Sequence, residues 1–119
     1  VAAQLAIFDR LPETEQRDLL EAILRDTATR GDGGADLGKA WRDGDMDTIE
    51  RETARGMLAD PELRLALFTG RNEAWADRIL SEMASGRRPL VAVGAAHMAG
   101  PEGLPALLAE AGLLVRRIQ

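Results

Sequence analysis

Apolar residues recur at three- and four-residue spacing through most of this chain, the signature of helices with one buried stripe. Between 12 and 29, Leu19, Leu20, Ile23 and Leu24 fall on one face, and Glu13 and Glu15 follow Pro12 in the first turn, where the helix dipole favours acids. The spacing predicts a helix over 12–29, stopped by Gly31-Asp32-Gly33-Gly34. A short helix over 36–42 is expected to bury Leu37 and Trp41, and Asp45 to cap another that carries Met46, Ile49, Thr53 and Met57. Asp60-Pro61-Glu62 reads as an N-cap with proline at the first helical position; it opens a short helix with Leu63 and Leu67 inward, ended by Thr69-Gly70. From 71 to 85 the inner stripe is Trp75, Ala76, Ile79 and Met83, and one turn back it lands on Asn72. A polar side chain is thus aimed where core is expected. The opening segment, 2–10, carries Leu5, Ile7 and Phe8 and fits a helix or a strand, with its Ala and Gln tilting it towards helix.

The pattern changes after Gly86. Leu90-Val91-Ala92-Val93 is a continuous apolar run ending in Gly94, which predicts a strand; 101–111 predicts a helix burying Leu104, Leu107, Leu108 and Ala111; and 113–118 predicts a second strand. Two strands joined by a crossover helix make a βαβ unit, whose strands run parallel. Parallel strands are normally buried within larger sheets, and two are too few to make one. The expected fold is therefore α/β and mostly helical, a single domain or fragment over 1–119. Residues 1–86 form the helical region, and 87–119 form a strand-loop-helix-strand that is part of a larger, incomplete sheet. The missing strands are expected from the rest of a longer protein or from a second copy.

Composition narrows the functional classes. A chain of 119 residues with 45% hydrophobic and 29% charged residues is ordinary globular material for one domain. No apolar run approaches the ~18 residues of a membrane span. The chain opens at Val1 without a basic-then-apolar leader, so any targeting segment is expected upstream and removed. A net charge of −5, with Arg87-Arg88 and Arg116-Arg117 as mere pairs, argues against nucleic acid, whose phosphates demand a basic face. With no cysteine there is no thiolate nucleophile, thiolate metal site or disulfide.

Candidate chemistry concentrates on the loop after the first expected strand. His97, the sole histidine, lies there, beyond a strand's carboxyl end, where ligands gather in open α/β sheets. It is either a structural histidine or a functional one, and a neighbouring helix N-terminus would keep it neutral, able to ligate a metal or accept a proton. One histidine alone is not a metal site, which takes three or four ligands. Gly94, Gly100 and Gly103 supply N–H groups that could hold an anion or a developing oxyanion, or else plain turn geometry. Arg71 and Asn72 open the preceding helix: a fixed cation for a carboxylate or phosphate, and an inward amide with both a donor and an acceptor; capping plus a surface charge is the bland alternative. Trp41 and Trp75 are expected in the core. Glu13, Glu15, Asp43, Asp45, Asp47, Glu50 and Glu52 read as solvated helix faces and caps.

Arg71-Asn72-Glu73-Ala74-Trp75-Ala76, the run from Val91 through Gly94-Ala95-Ala96-His97-Met98-Ala99-Gly100-Pro101-Glu102-Gly103-Leu104, then Gly112 and Val115-Arg116-Arg117-Ile118 together resemble the carboxyl-terminal half of the TraB/GumN family. The segment from Gln4 to Phe8 and Trp41-Arg42-Asp43-Gly44-Asp45 are similar to the family's helical middle. The resemblance implies a bacterial protein, commonly exported to the periplasm or anchored outside. Its family includes the Tiki metalloproteases, the TraB and PrgY proteins that block peptide pheromone signalling, and GumN. It implies an active site of two G-x-x-H motifs and a Glu with a divalent metal of Mn or Co type. Gly94-Ala95-Ala96-His97 corresponds to the second motif and makes His97 a metal ligand, while Arg71 and Asn72 orient the substrate or stabilise the oxyanion. The first motif and its Glu would precede Val1. The expected function is the carboxyl-terminal part of a metal-dependent peptidase or other hydrolase, acting on a peptide or other small substrate and inactive as an isolated fragment. Two alternatives belong to other classes: a non-catalytic module that sequesters a ligand, and a helical homo-oligomeric scaffold.

Overall fold

The computed structural model describes residues 9–29 and 35–118. The glycine loop at 31–34, and all but the last two residues of the 2–10 segment, lie outside them. Among the described residues, 9 and 10 are helical, and the helices that follow are α1 (Glu13–Thr29), α2 (Leu37–Asp43), α3 (Met46–Thr53), α4 (Pro61–Arg64), α5 (Gly70–Ala84) and α6 (Leu104–Glu110), with 3₁₀ turns at Gly56–Ala59 and Ala95–Met98. Capping follows the sequence signals at Asp45 and Asp60, and Asp36, expected as the first helical residue, is a cap as well. Asp36 accepts the Lys39 N–H at 2.8 Å, Asp45 the Thr48 N–H at 3.0 Å, and Asp60 those of Glu62 and Leu63, each at 2.9 Å. Gly44 ends α2 in the left-handed region at φ 70°, which a residue with a Cβ enters only at a cost.

The expected break at Thr69-Gly70 is absent. Instead α4 and α5 are joined by a π-helical stretch, Leu65–Thr69, so that 61–84 is one unbroken helical run. The Gly70 N–H donates to the Leu65 carbonyl five residues back. A Cβ on Gly70 would lie 2.8 Å from that same oxygen, so the wide turn closes only around glycine. Thr69-Gly70 thus marks a helix defect, not a helix end.

Apolar burial is modest and sits in small clusters. Ala76, Ile79 and Leu104 form one, with Trp75, Val93, Leu107 and Leu108 packed against it; Ala40, Ile49 and Ala99 form another, with Met46 and Ala95 beside them. Leu63 and Phe68 are also buried, at 1% and 2% exposure. Leu37 and Trp41, expected inside, are about half exposed because α2 turns the small Ala40 inward, and Ala111 and Met83 are exposed as well. On α1 only Leu19 of the predicted stripe is buried.

The expected α/β class does not hold. Among the described residues there is no β-strand and no sheet, so the βαβ unit over 87–119 is absent. Residues 87–94 and 113–118 have no regular structure and make no ladder with each other. Leu90 is 97% exposed and Leu114 99%, while the first run is held by Val93 in the α5–α6 cluster and the second by Arg117, which donates to the Gly44 carbonyl at 2.6 Å. An apolar run sets strand propensity, but a strand exists only when a neighbouring chain takes up its backbone groups. Among the described residues no helix is long and apolar enough to cross a membrane.

Candidate functional site

Asn72 is the centre of the site. It lies in the first turn of α5, just after the π stretch, and its side chain is fully buried. Its Nδ2 donates to the Glu102 carbonyl at 2.7 Å, and its Oδ1 lies 2.6 Å from His97 Nδ1. The carbonyl can only accept, so the amide nitrogen must face it and Oδ1 must face the ring. His97 Nδ1 is therefore the donor, and in the neutral imidazole the lone pair resides on Nε2. Among the described residues no buried side-chain polar atom lacks a partner, and Nε2 has none, so Nε2 is open to solvent.

The 3₁₀ turn Ala95–Met98 delivers the ring. It starts at Gly94, whose carbonyl accepts the His97 N–H at 3.0 Å. Phe68, the buried residue of the π stretch, stacks on one side of the imidazole at 4.9 Å and 16°, and Trp75 meets it edge-on at 4.9 Å and 65°. Partial burial between these rings, and then the charge of Arg71, push the imidazole below its ordinary pKa of 6.5. The cause differs from the helix N-terminus expected from the sequence; the direction is the same.

Behind Asn72 the network continues into charge. The Glu102 carboxylate accepts from Arg64 Nε at 2.7 Å and Thr69 Oγ1 at 2.8 Å, and Arg64 Nη2 bonds the same carboxylate. These bonds, Arg64 foremost, hold the carboxyl below its ordinary range. Arg64 also lies over the Phe68 ring at 5.0 Å. One residue, Glu102, thus ties α4, the π stretch and α5 to the turn that precedes α6.

The ring opens onto a cleft of about 730 Å³ between α5 and the run 89–94. Arg71 and Gly94 line it with His97; Asn72, Gly100 and Gly103 do not. The structure therefore brings Arg71, Asn72 and His97 together, while Gly100 and Gly103 serve the backbone. Gly103 donates its N–H to the Gly100 carbonyl at 3.1 Å, and a Cβ there would lie 2.6 Å from the Ala99 oxygen. Gly100 has φ 72° and presses against Glu50. Trp75, expected in the core, is partly buried: it packs against the Ala76, Ile79 and Leu104 cluster and also forms cleft wall. Sequence reasoning passed over Glu102, Arg64, Thr69 and Phe68. Glu102 stood inside the quoted Gly100-to-Leu104 string, but nothing in spacing alone linked it to residues 30 to 38 positions earlier.

Fold and site define a helical protein that presents one tautomer of a neutral histidine, oriented by a buried amide, at the mouth of a basic and apolar cleft. Residues 1–117 match the TraB/PrgY/gumN family, and the chain belongs to it. No curated protein and no solved structure matches the chain.

Proposed function

We propose that this TraB/PrgY/gumN-family chain contributes a hydrolytic site in which His97 acts at Nε2 on a peptide or a similar acyl substrate lying in the cleft. The observation that carries the proposal is the Asn72 amide, bonded at 2.7 Å to Glu102 and at 2.6 Å to His97, which leaves Nε2 as the free lone pair. An imidazole so fixed takes a proton from water as the water oxygen attacks the acyl carbon, and returns it to the departing amine. Asn72 positions the ring, in the role that an orienting group plays in catalytic triads. Arg71 places a positive charge beside it, suited to an anionic oxygen.

The family resemblance implies a divalent metal, and the donor set present falls short of one. Among the described residues no group of three His, Cys, Asp or Glu comes together, and the Glu102 carboxylate is engaged by Arg64 and Thr69. Nε2 could serve as one ligand.

The test is peptide turnover followed by mass spectrometry, with and without added Mn²⁺ or Co²⁺ and with EDTA. Turnover by the parent protein that His97→Ala abolishes supports the proposal. Equal turnover by parent and variant overturns it, and binding that survives EDTA with no turnover supports the sequestering module instead.

A further inference from the structure

Beyond Arg71, the cleft carries charge that the proposed reaction does not use. Arg71, Trp75, Arg78 and Glu82 recur along α5 at spacings of four, three and four, which puts all of them on one helix face, and all line the cleft. Glu82 is bonded to Arg87, which neutralises the acid at the far end. Among the described residues neither Arg71 nor Arg78 is paired with a carboxylate. Arg71 is held over the Trp75 ring at 4.7 Å, with only a long 3.4 Å bond to the Leu67 carbonyl. Two arginines therefore stand about 10 Å apart along the helix axis, flanked by Trp75, Ile79 and Val91, in a chain whose net charge is −5.

We propose that this cleft selects substrates bearing a carboxylate, bound by the Arg71 and Arg78 guanidinium groups, with the apolar part of the same ligand against Trp75 and Ile79. The proposal rests on the hydrolase reading for the word substrate alone; the binding preference stands without turnover. A planar guanidinium matches a carboxylate in a fork that lysine cannot form, and the apolar walls strengthen the contact by excluding water. In a peptide the carboxylate has two sources, a free chain terminus or an acidic side chain, with the same chemistry at the arginines.

The test is an NMR titration of the acetylated tetrapeptide Ala-Leu-Ala-Ala as free acid, as its amide, and as the amide with Glu in place of one Ala. The Trp75 indole N–H is the reporter and Trp41, which lines a different cavity, the internal control. At least one carboxylate-bearing peptide is expected to bind about tenfold more tightly than the neutral amide, and which one identifies the source. Arg78→Gln, at an exposed position, is expected to remove most of that preference, and Arg78→Lys to restore only part of it. Binding of all three probes within twofold, no binding by about 10 mM, or an undiminished preference in Arg78→Gln overturns the proposal. Turnover is read separately. A parent protein that prefers the carboxylate but cleaves nothing sinks the hydrolase and leaves the anion site standing.

Discussion

Replacing Asn72 with alanine isolates the group on which the site is built. The substitution leaves the Glu102 carbonyl without its donor and the His97 Nδ1–H without its acceptor. An orphaned buried polar group costs roughly 1–3 kcal/mol, and because His97 is only partly buried, water relieves some of its share. The expected loss is therefore about 2–4 kcal/mol, a large part of the 5–15 kcal/mol typical of a domain. At roughly 4 °C per kcal/mol for a chain of this size, Tm in far-UV circular dichroism falls by about 8–16 °C. Stability alone would not separate a positioning amide from any buried one, so Asn72→Asp completes the experiment. Its carboxylate still accepts from Nδ1–H, but it cannot donate to Glu102 and it sets a negative charge against the ring. Opposite charge favours the imidazolium, so the His97 pKa, followed by NMR of its ring protons, moves from below 6.5 to above it. A loss under about 0.5 kcal/mol in Asn72→Ala, or an unmoved His97 titration in Asn72→Asp, would refute the orienting role.

Three further outcomes are expected. Because the folded pKa of His97 is depressed, the unfolded state binds the proton first. Its contribution to stability is full above about pH 6.5 and is lost as pH falls from there through the folded pKa, which urea titrations of parent and His97→Gln at stepped pH check; identical slopes against pH would count against it. Gly70→Ala, stabilising by about 1 kcal/mol in an ordinary helix interior, is expected to destabilise by roughly 1–3 kcal/mol here, because its Cβ meets the Leu65 oxygen at 2.8 Å; the sign in chemical denaturation decides. Asp60→Ala removes a cap that accepts two N–H groups and should cost about 1 kcal/mol in the same assay, without moving the His97 titration.

What was legible in the sequence follows the range of each signal. The caps at Asp45 and Asp60 were readable because a capping bond spans two or three residues. Asn72 was readable because the stripe of Ala76 and Ile79, extended one turn back, already pointed it inward. The strands were misread because Leu90-Val91-Ala92-Val93 carries the propensity but not the partner, and pairing is a property of two segments. The grouping of Arg71, Asn72 and His97 came from the family resemblance as much as from spacing. The Glu102 network was invisible because its bonds join positions 30 to 38 residues apart.

The π stretch explains the remaining miss and shows how the site is aligned. A regular helix through Leu63 predicts the next inward residue at Leu67, four positions on, yet Phe68 is the buried one. The inward positions run Leu63, Phe68, Asn72, Ala76 and Ile79, with intervals of five, four, four and three. The interval of five is the extra residue of the wide turn, and the regular pattern resumes after it. Without that residue, each position beyond Gly70 would be turned by about 100° relative to α4. Asn72 would then leave the side on which Leu63 is buried. The defect therefore does local work at two places: it puts Phe68 flat against the imidazole, and it brings Asn72 and Thr69 onto the side where Glu102 reaches Arg64. Straightening the helix would separate the residues that fix the His97 tautomer from the ring they fix, even with every one of them still present.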